Sequence, residues 1–233
     1  MGLESICLCC MLQVLYEDNH LIAVYKPAGV LVQADDTKAP TLMDEVKYYL
    51  KQKYHKTGKV FLGLLHRLDR NVQGIILFAK TSKGASRLSE QFREHSVEKI
   101  YHAVVKGKPA RQRDILVHYL SKDKDANRTT VFGLQTTATQ RAELSYEVVK
   151  SNKKHSLLKI KLGTGRSHQI RAQLAFIGCP IVGDVKYGSK ETLPDHELAL
   201  AATSLSFETA TGDDIRRVEA SIPIFLEAFV AGN

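Results

Sequence analysis

Cysteine is scarce in this chain and poorly placed for chemistry. There are four, with Cys7, Cys9 and Cys10 crowded near the start and Cys179 alone far downstream. A structural zinc site draws paired ligands from two places at defined spacing. No second Cys or His pair stands at such spacing, so ordinary thiols in a reducing compartment are expected, and no metal. Long apolar runs are absent as well. Nothing approaches the roughly 20 uncharged apolar residues of a membrane span. The run Ile6-Cys7-Leu8-Cys9-Cys10-Met11-Leu12 is short and lacks the basic flank and small-residue cleavage site of a secretory signal. These absences lead to an expectation of no membrane association and a cytoplasmic location. Internal repeats, low-complexity tracts and composition breaks are also missing, which argues against solenoids and linked modules.

What the chain does have is positive charge. Its 233 residues carry 33 Lys and Arg against 25 Asp and Glu, a formal net charge of +8. Lysine and arginine set against phosphates release condensed counterions, so this balance points to a polyanionic partner. Basic surfaces also occur on proteins that bind no nucleic acid, and charge alone does not decide. The 44% hydrophobic content is enough to build a core without disulfides or metals.

Many strands are expected with few helices between them. Leu12–Asp18 and His20–Tyr25 flank the turn pair Asp18-Asn19 and read as a hairpin. Lys26-Pro27-Ala28-Gly29-Val30 forces a non-helical bend. Thr41 to about Tyr54 reads as a helix capped by Thr41, with Asp44 three residues on. Val60–Leu65 and Val72–Phe78 look like strands flanking the loop His66–Arg70, and Gly74 marks a bulge or close approach. A second helix covers Ser82–His95. Glu98–Lys106 alternates as a strand, and further strands are expected at Ile115–Ser121, Thr139–Val149, Leu157–Leu162, Leu198–Phe207 and Arg217–Ser221. Ser167–Ile177 is a third helix capped by Ser167, and Ile224–Val230 a short last one. Strands without regular helical crossovers argue against a parallel βαβ fold. The expected class is α+β, a large mixed, mostly antiparallel sheet with flanking helices. Residues 1–11 are expected to form an N-terminal extension and 12–230 a single domain.

Four segments carry candidate chemistry. In His66-Arg67-Leu68-Asp69-Arg70 a carboxylate lies between two arginines in a loop between apolar strands. Such an aspartate can act as nucleophile, general base or structural anchor; the plain alternative is a loop salt-bridge cluster. The kinase catalytic loop His-Arg-Asp is excluded, since no Gly-x-Gly-x-x-Gly loop or Asp-Phe-Gly follows. In Leu162-Gly163-Thr164-Gly165-Arg166-Ser167-His168-Gln169-Ile170-Arg171, two glycines permit a tight turn before a helix. Arg166 would then lie at a helix N-terminus, where a phosphate or a carboxylate such as Asp69 is at home. It is not a P-loop, and a capped helix with surface arginines is the alternative. Tyr101, in Lys99-Ile100-Tyr101, reads as strand packing unless its face meets Asp69. Gly183-Asp184-Val185-Lys186-Tyr187-Gly188 reads as a glycine-bracketed turn that supports the neighbouring loop.

Taken together with Lys26–Val30, these segments occur in the order and approximate spacing of the RluA-type pseudouridine synthases, which the chain resembles from about residue 12 to 225. The resemblance implies a mixed-sheet catalytic domain with a central basic cleft, which isomerises uridine in structured ribosomal or transfer RNA to pseudouridine, without cofactor or metal. It assigns Asp69 as nucleophile or base, Arg166 as its ion-pair partner and Tyr101 as the residue stacking on uracil. Leu162 would pack against the base and Arg67 would enter the space left by the flipped nucleotide, with His66, Gln169 and Arg171 as further substrate-binding residues. Two departures stand out. Val72-Gln73 replaces the usual Thr-Ser before Gly74, and the usual histidine is missing from Leu198-Ala199-Leu200-Ala201-Ala202. The N-terminal segment is too short for the small basic RNA-binding domain of many relatives, so recognition is expected to come from the catalytic domain itself, and a monomer is expected. The competing functions are a catalytically idle RNA-binding module of the same fold and an Asp-dependent nucleoside hydrolase.

Overall fold

The computed structural model describes residues 12–231 except 36–37, 124 and 213; the cysteine-rich segment at 1–11 lies outside the described residues. The chain runs β1 (Gln13–Glu17), β2 (Leu21–Lys26), α1 (Leu42–Lys53), β3 (Gly63–Leu64), β4 (Gln73–Ala79), α2 (Ser82–Arg93), β5 (Glu98–Lys106), β6 (Arg113–Asp123), β7 (Arg128–Phe132), β8 (Gln140–Ser151), β9 (His155–Leu162), α3 (Gln169–Phe176), β10 (Leu200–Glu208), β11 (Ile215–Glu219) and α4 (Ile224–Ala228).

These strands form one sheet, ordered β1-β2-β4-β10-β5-β9-β8-β6-β7, with β3 paired to β4 and β11 to β10. Every pairing is antiparallel but one. β10 runs parallel to β4 over only two register pairs, Ala201 with Gln73 and Ala202 with Gly74. The expected α+β class with a mixed, mostly antiparallel sheet is what the chain adopts.

Period-two alternation explains how both faces of the first strands are covered. Ile22, Val24, Ile76 and Phe78 turn one way and share a core with Leu42, Val46 and Leu50 of α1. Leu21, Ala23, Ile75 and Leu77 turn the other way, onto Leu88 of α2. Each such fully buried aliphatic side chain contributes about 1.5–3 kcal/mol. The capping box at the start of α1 forms as the sequence indicates, with the Asp44 amide donating to the Thr41 hydroxyl and the Asp44 carboxylate accepting from the Thr41 amide.

Three sequence expectations need correction. The strand foreseen at Val60–Leu65 shrinks to Gly63–Leu64. β7 was not foreseen, because Arg-Thr-Thr-Val-Phe is short and mostly polar. The third helix starts at Gln169, not Ser167, and no side chain caps it. The Ser167 carbonyl instead accepts from the Thr129 hydroxyl, and His168 takes a left-handed conformation with φ 51°.

Gly74 is the close approach that the sequence suggested. Its φ is +125°, and a Cβ there would lie 2.2 Å from the Ala202 carbonyl oxygen. Both the backbone angle and the overlap exclude other residues at the β4–β10 junction. Gly74→Ala is therefore expected to reduce unfolding free energy in urea by about 3 kcal/mol or more. Gly58→Ala, where a Cβ meets nothing within 4 Å, should stay within about 0.5 kcal/mol of the parent.

Candidate active site

The loop between β3 and β4 is held by its backbone. The Val72 amide closes a turn on the Asp69 carbonyl, and the Gly29 amide donates to the Arg70 carbonyl. Lys26 reinforces this from below. Its fully buried ammonium donates to the carbonyls of Pro27, Val30 and Arg70 at 2.8–2.9 Å. Three N–H bonds meet three acceptors, which joins the Lys26–Val30 bend to the aspartate loop. Burial pushes the Lys26 pKa down to about 7.

Asp69 opens onto a cavity of about 860 Å³, lined in part by Leu65, His66, Arg67, Lys99, Tyr101, Leu162, Arg166, His168 and Arg171. Seven Lys and Arg side chains line it against two aspartates, Asp35 and Asp69, so the cavity attracts anions.

The arginines flanking Asp69 in sequence do not pair with it. Arg67 is exposed at the rim, and Arg70 Nε donates to the Gly29 carbonyl. Arg166 is not the partner either, since its Nε donates to the Arg141 carbonyl at 3.2 Å. The ion pair falls to Arg171, whose Nη1 lies 2.9 Å from Asp69 Oδ2. With the helix starting at Gln169, Arg171 occupies the first turn and reaches the cavity floor, while Arg166 lies in the preceding loop.

Arg171 is itself clamped from behind. Asp184, 1% exposed, takes Nε at 2.7 Å and Nη2 at 2.9 Å in a bidentate pair. The Tyr187 ring lies 5.1 Å from the guanidinium. Burial opposes the charge, but Asp184 and then Asp69 hold the Arg171 pKa above the ordinary arginine value. His168 adds a second contact, with Nε2 3.7 Å from Asp69 Oδ2 and Nδ1 2.9 Å from the Tyr187 hydroxyl. That hydroxyl accepts the Thr129 amide hydrogen. Both contacts fall on Oδ2; among the described residues no hydrogen bond reaches Asp69 Oδ1.

Tyr101 and Leu162 come from neighbouring strands β5 and β9 and line the same cavity. Burial, and next the Asp69 carboxylate, pushes the Tyr101 phenol far above the ordinary tyrosine value, so it remains a neutral O–H group.

Arg171, expected to bind substrate, is thus the partner of Asp69, and two other residues expected to bind substrate also have other duties. Gln169 is 3% exposed. Its Oε1 accepts from the Thr164 hydroxyl and the Arg166 amide, and its Nε2 donates to the Glu143 carbonyl. All of this fixes the turn before α3. His66 accepts the Leu77 amide hydrogen at Nε2 and stacks on Phe92 at 4.8 Å. Burial, and then Lys99, lowers its pKa to about 3. Sequence reasoning also missed Asp184, Lys26 and His168 as site components. A buried Asp184 between two glycines needs a cation, but nothing in the sequence says which.

The residues from 20 to 176 match the model of the RNA pseudouridylate synthase family. This chain belongs to that family. By that membership it is an isomerase. It is 33% identical to the ribosomal large subunit pseudouridine synthase C of Rickettsia typhi over 91% of this chain and 68% of that one. Against the tRNA pseudouridine synthase C of Yersinia pestis the identity is 33% over 76% of this chain and 71% of the other. The solved structure of human RNA Pseudouridylate Synthase Domain Containing 1 superimposes with a TM-score of 0.78 at 23% identity, covering 98% of this chain and 90% of that one. The human likeness concerns the fold.

Two measurements probe the supports of the site. A neutral His66 in the fold and an ordinary one in the unfolded chain mean that the unfolded state binds more protons between pH 6.5 and about 3. Stability should therefore fall as pH drops through that window. Urea titrations at pH 7 and 4.5 should show a smaller acid loss in His66→Gln than in the parent. Asp184→Ala leaves Arg171 half-paired in a buried site, and is expected to lower stability by about 3 kcal/mol in the same assay.

Proposed function

We propose that this enzyme isomerises uridine to pseudouridine in structured ribosomal or transfer RNA, with Asp69 as the group that attacks the target nucleotide. The observation that carries the reading is the asymmetry of the Asp69 carboxylate. Oδ2 is fixed by Arg171, whereas Oδ1 has no hydrogen bond among the described residues, and Asp69 lines the cavity. An oriented anion with one free oxygen is what attack on an electrophilic carbon requires.

The reaction breaks the carbon–nitrogen glycosidic bond, turns the detached uracil and rejoins it through ring carbon C5. A base inside a helix is out of reach, so the nucleotide must be extruded. Arg67, exposed at the rim, suits the space that extrusion leaves. Tyr101 offers an aromatic face for stacking, and Leu162 an apolar wall that keeps the detached base in place. Rejoining at C5 leaves one proton on that carbon to be removed. A neutral Tyr101 hydroxyl can accept it while passing its own proton to water, and the ring nitrogen freed from the sugar takes up a proton in exchange. Support for RNA as substrate comes from the cationic cavity and from the relatives, which are named as ribosomal and transfer RNA enzymes. An idle RNA-binding module would have no use for a carboxylate turned toward a phosphate-rich ligand.

Incubation with ribosomal and transfer RNA from a strain lacking the enzyme, followed by pseudouridine mapping, decides between these readings. The wild type is expected to introduce pseudouridine and Asp69→Asn to introduce none. Equal product from both would remove Asp69 from its role, and free uracil would indicate a hydrolase. In single-turnover assays Arg171→Met should slow the chemical step by about 100-fold. Arg166→Met should instead weaken RNA binding and leave that step within about threefold.

A further inference from the structure

The wall beside Tyr101 holds a cation that the chemistry above does not use. Lys99 is 7% exposed yet lines the cavity, and among the described residues no acceptor or carboxylate pairs with its ammonium. Burial alone lowers its pKa from the ordinary lysine value. The stem is shielded while the ammonium stays open to the cavity, since among the described residues the buried polar side-chain atom without a partner is Gln173 Oε1. A partly desolvated cation facing a cavity gains more from an incoming anion than one in open water.

The surroundings of Lys99 select for such a ligand. Arg166, with Nε held by the Arg141 carbonyl, keeps both terminal nitrogens free among the described residues. His95, at the end of α2, lies within the electrostatic reach of both Lys99 and Arg166. Gly165 separates the two basic side chains. A Cβ on it would come to 3.7 Å from Lys99 Nζ, so a longer side chain would cover the ammonium. The three groups come from the turn after α2, from β5 and from the β9–α3 turn, and all line the one cavity.

We infer that Lys99, Arg166 and His95 form an anion subsite that holds a phosphodiester adjoining the flipped uridine. The inference rests on the RNA-modifying reading above and names which part of the nucleotide this wall takes. A uracil carbonyl needs one donor; three donors, two of them cationic, suit a phosphate. Lys99 and Tyr101 are alternate residues on one face of β5, about 6.7 Å apart along the strand. That separation is comparable to the reach from a base to its own phosphate. The subsite thus fixes the backbone while Tyr101 takes the base, which makes Lys99 a positioning residue.

A double-mutant cycle tests this directly, read by fluorescence anisotropy with a stem-loop RNA carrying one loop uridine. Lys99→Met is expected to weaken binding about tenfold near 0.1 M salt and to reduce the slope of log Kd against log salt by about one. Lys99→Arg should restore most of both. A neutral methylphosphonate at a phosphodiester flanking the uridine should weaken the wild type by a similar factor and add little to the loss in Lys99→Met. Gly165→Leu, which covers the ammonium without removing it, should reproduce the loss and serves if Lys99→Met does not fold. Wild-type affinity and slope in the folded Lys99→Met or Gly165→Leu protein, or full additivity of the lysine and methylphosphonate losses, overturns the subsite. Failure of the parent reading is separate: there the wild type forms no pseudouridine in any RNA, while the binding cycle still reads the subsite.

Discussion

A carboxylate–guanidinium–carboxylate chain, Asp69–Arg171–Asp184, organises the site. Removed from water, a guanidinium is tolerable only with its donors satisfied. Asp184 takes Nε and Nη2 and leaves Nη1 pointing one way, toward Asp69. The buried acid therefore sets the direction of the guanidinium, and the guanidinium sets the direction of Asp69. The turn at Gly183–Gly188, the start of α3 and the β3–β4 loop meet through this chain.

Its second consequence is electrostatic. Asp184 balances the charge of Arg171 while the same guanidinium aligns Asp69. The rest of the cavity remains cationic, which favours a polyanion beside the Asp69 carboxylate. Lys26 has a matching role below the loop, where its ammonium binds three carbonyls and so fixes the backbone.

Much of the framework was legible because it rests on local chemistry. The Thr41 cap with Asp44, the alternation of Glu98–Lys106 and the Asp18-Asn19 turn each depend on neighbours in sequence. Gly74 was flagged by residue type, although its contact with Ala202 is a long-range fact. The site was legible as a set of segments and not as a set of contacts. Arg166 and Arg171 stand five residues apart in one motif, and which one meets Asp69 depends on where the helix begins. That start was misplaced because Ser167 looks like a cap, whereas its carbonyl is engaged by Thr129 and His168 turns left-handed. Gln169 and His66 carry polar groups that look available until their partners are seen.

The parallel join between β4 and β10 extends over two residue pairs, yet the site straddles it. Asp69 belongs to the β1-β2-β4 side, while Tyr101, Leu162 and Arg171 belong to the side built on β5, β8 and β9. Each half carries its own dense antiparallel hydrogen bonding, and in the proposed chemistry Asp69 on one half acts with groups held on the other. Catalytic competence is in this sense a property of the seam. Loosening the two halves at that join would disperse the active constellation while leaving most secondary structure intact, so function and helix–strand content need not be lost together.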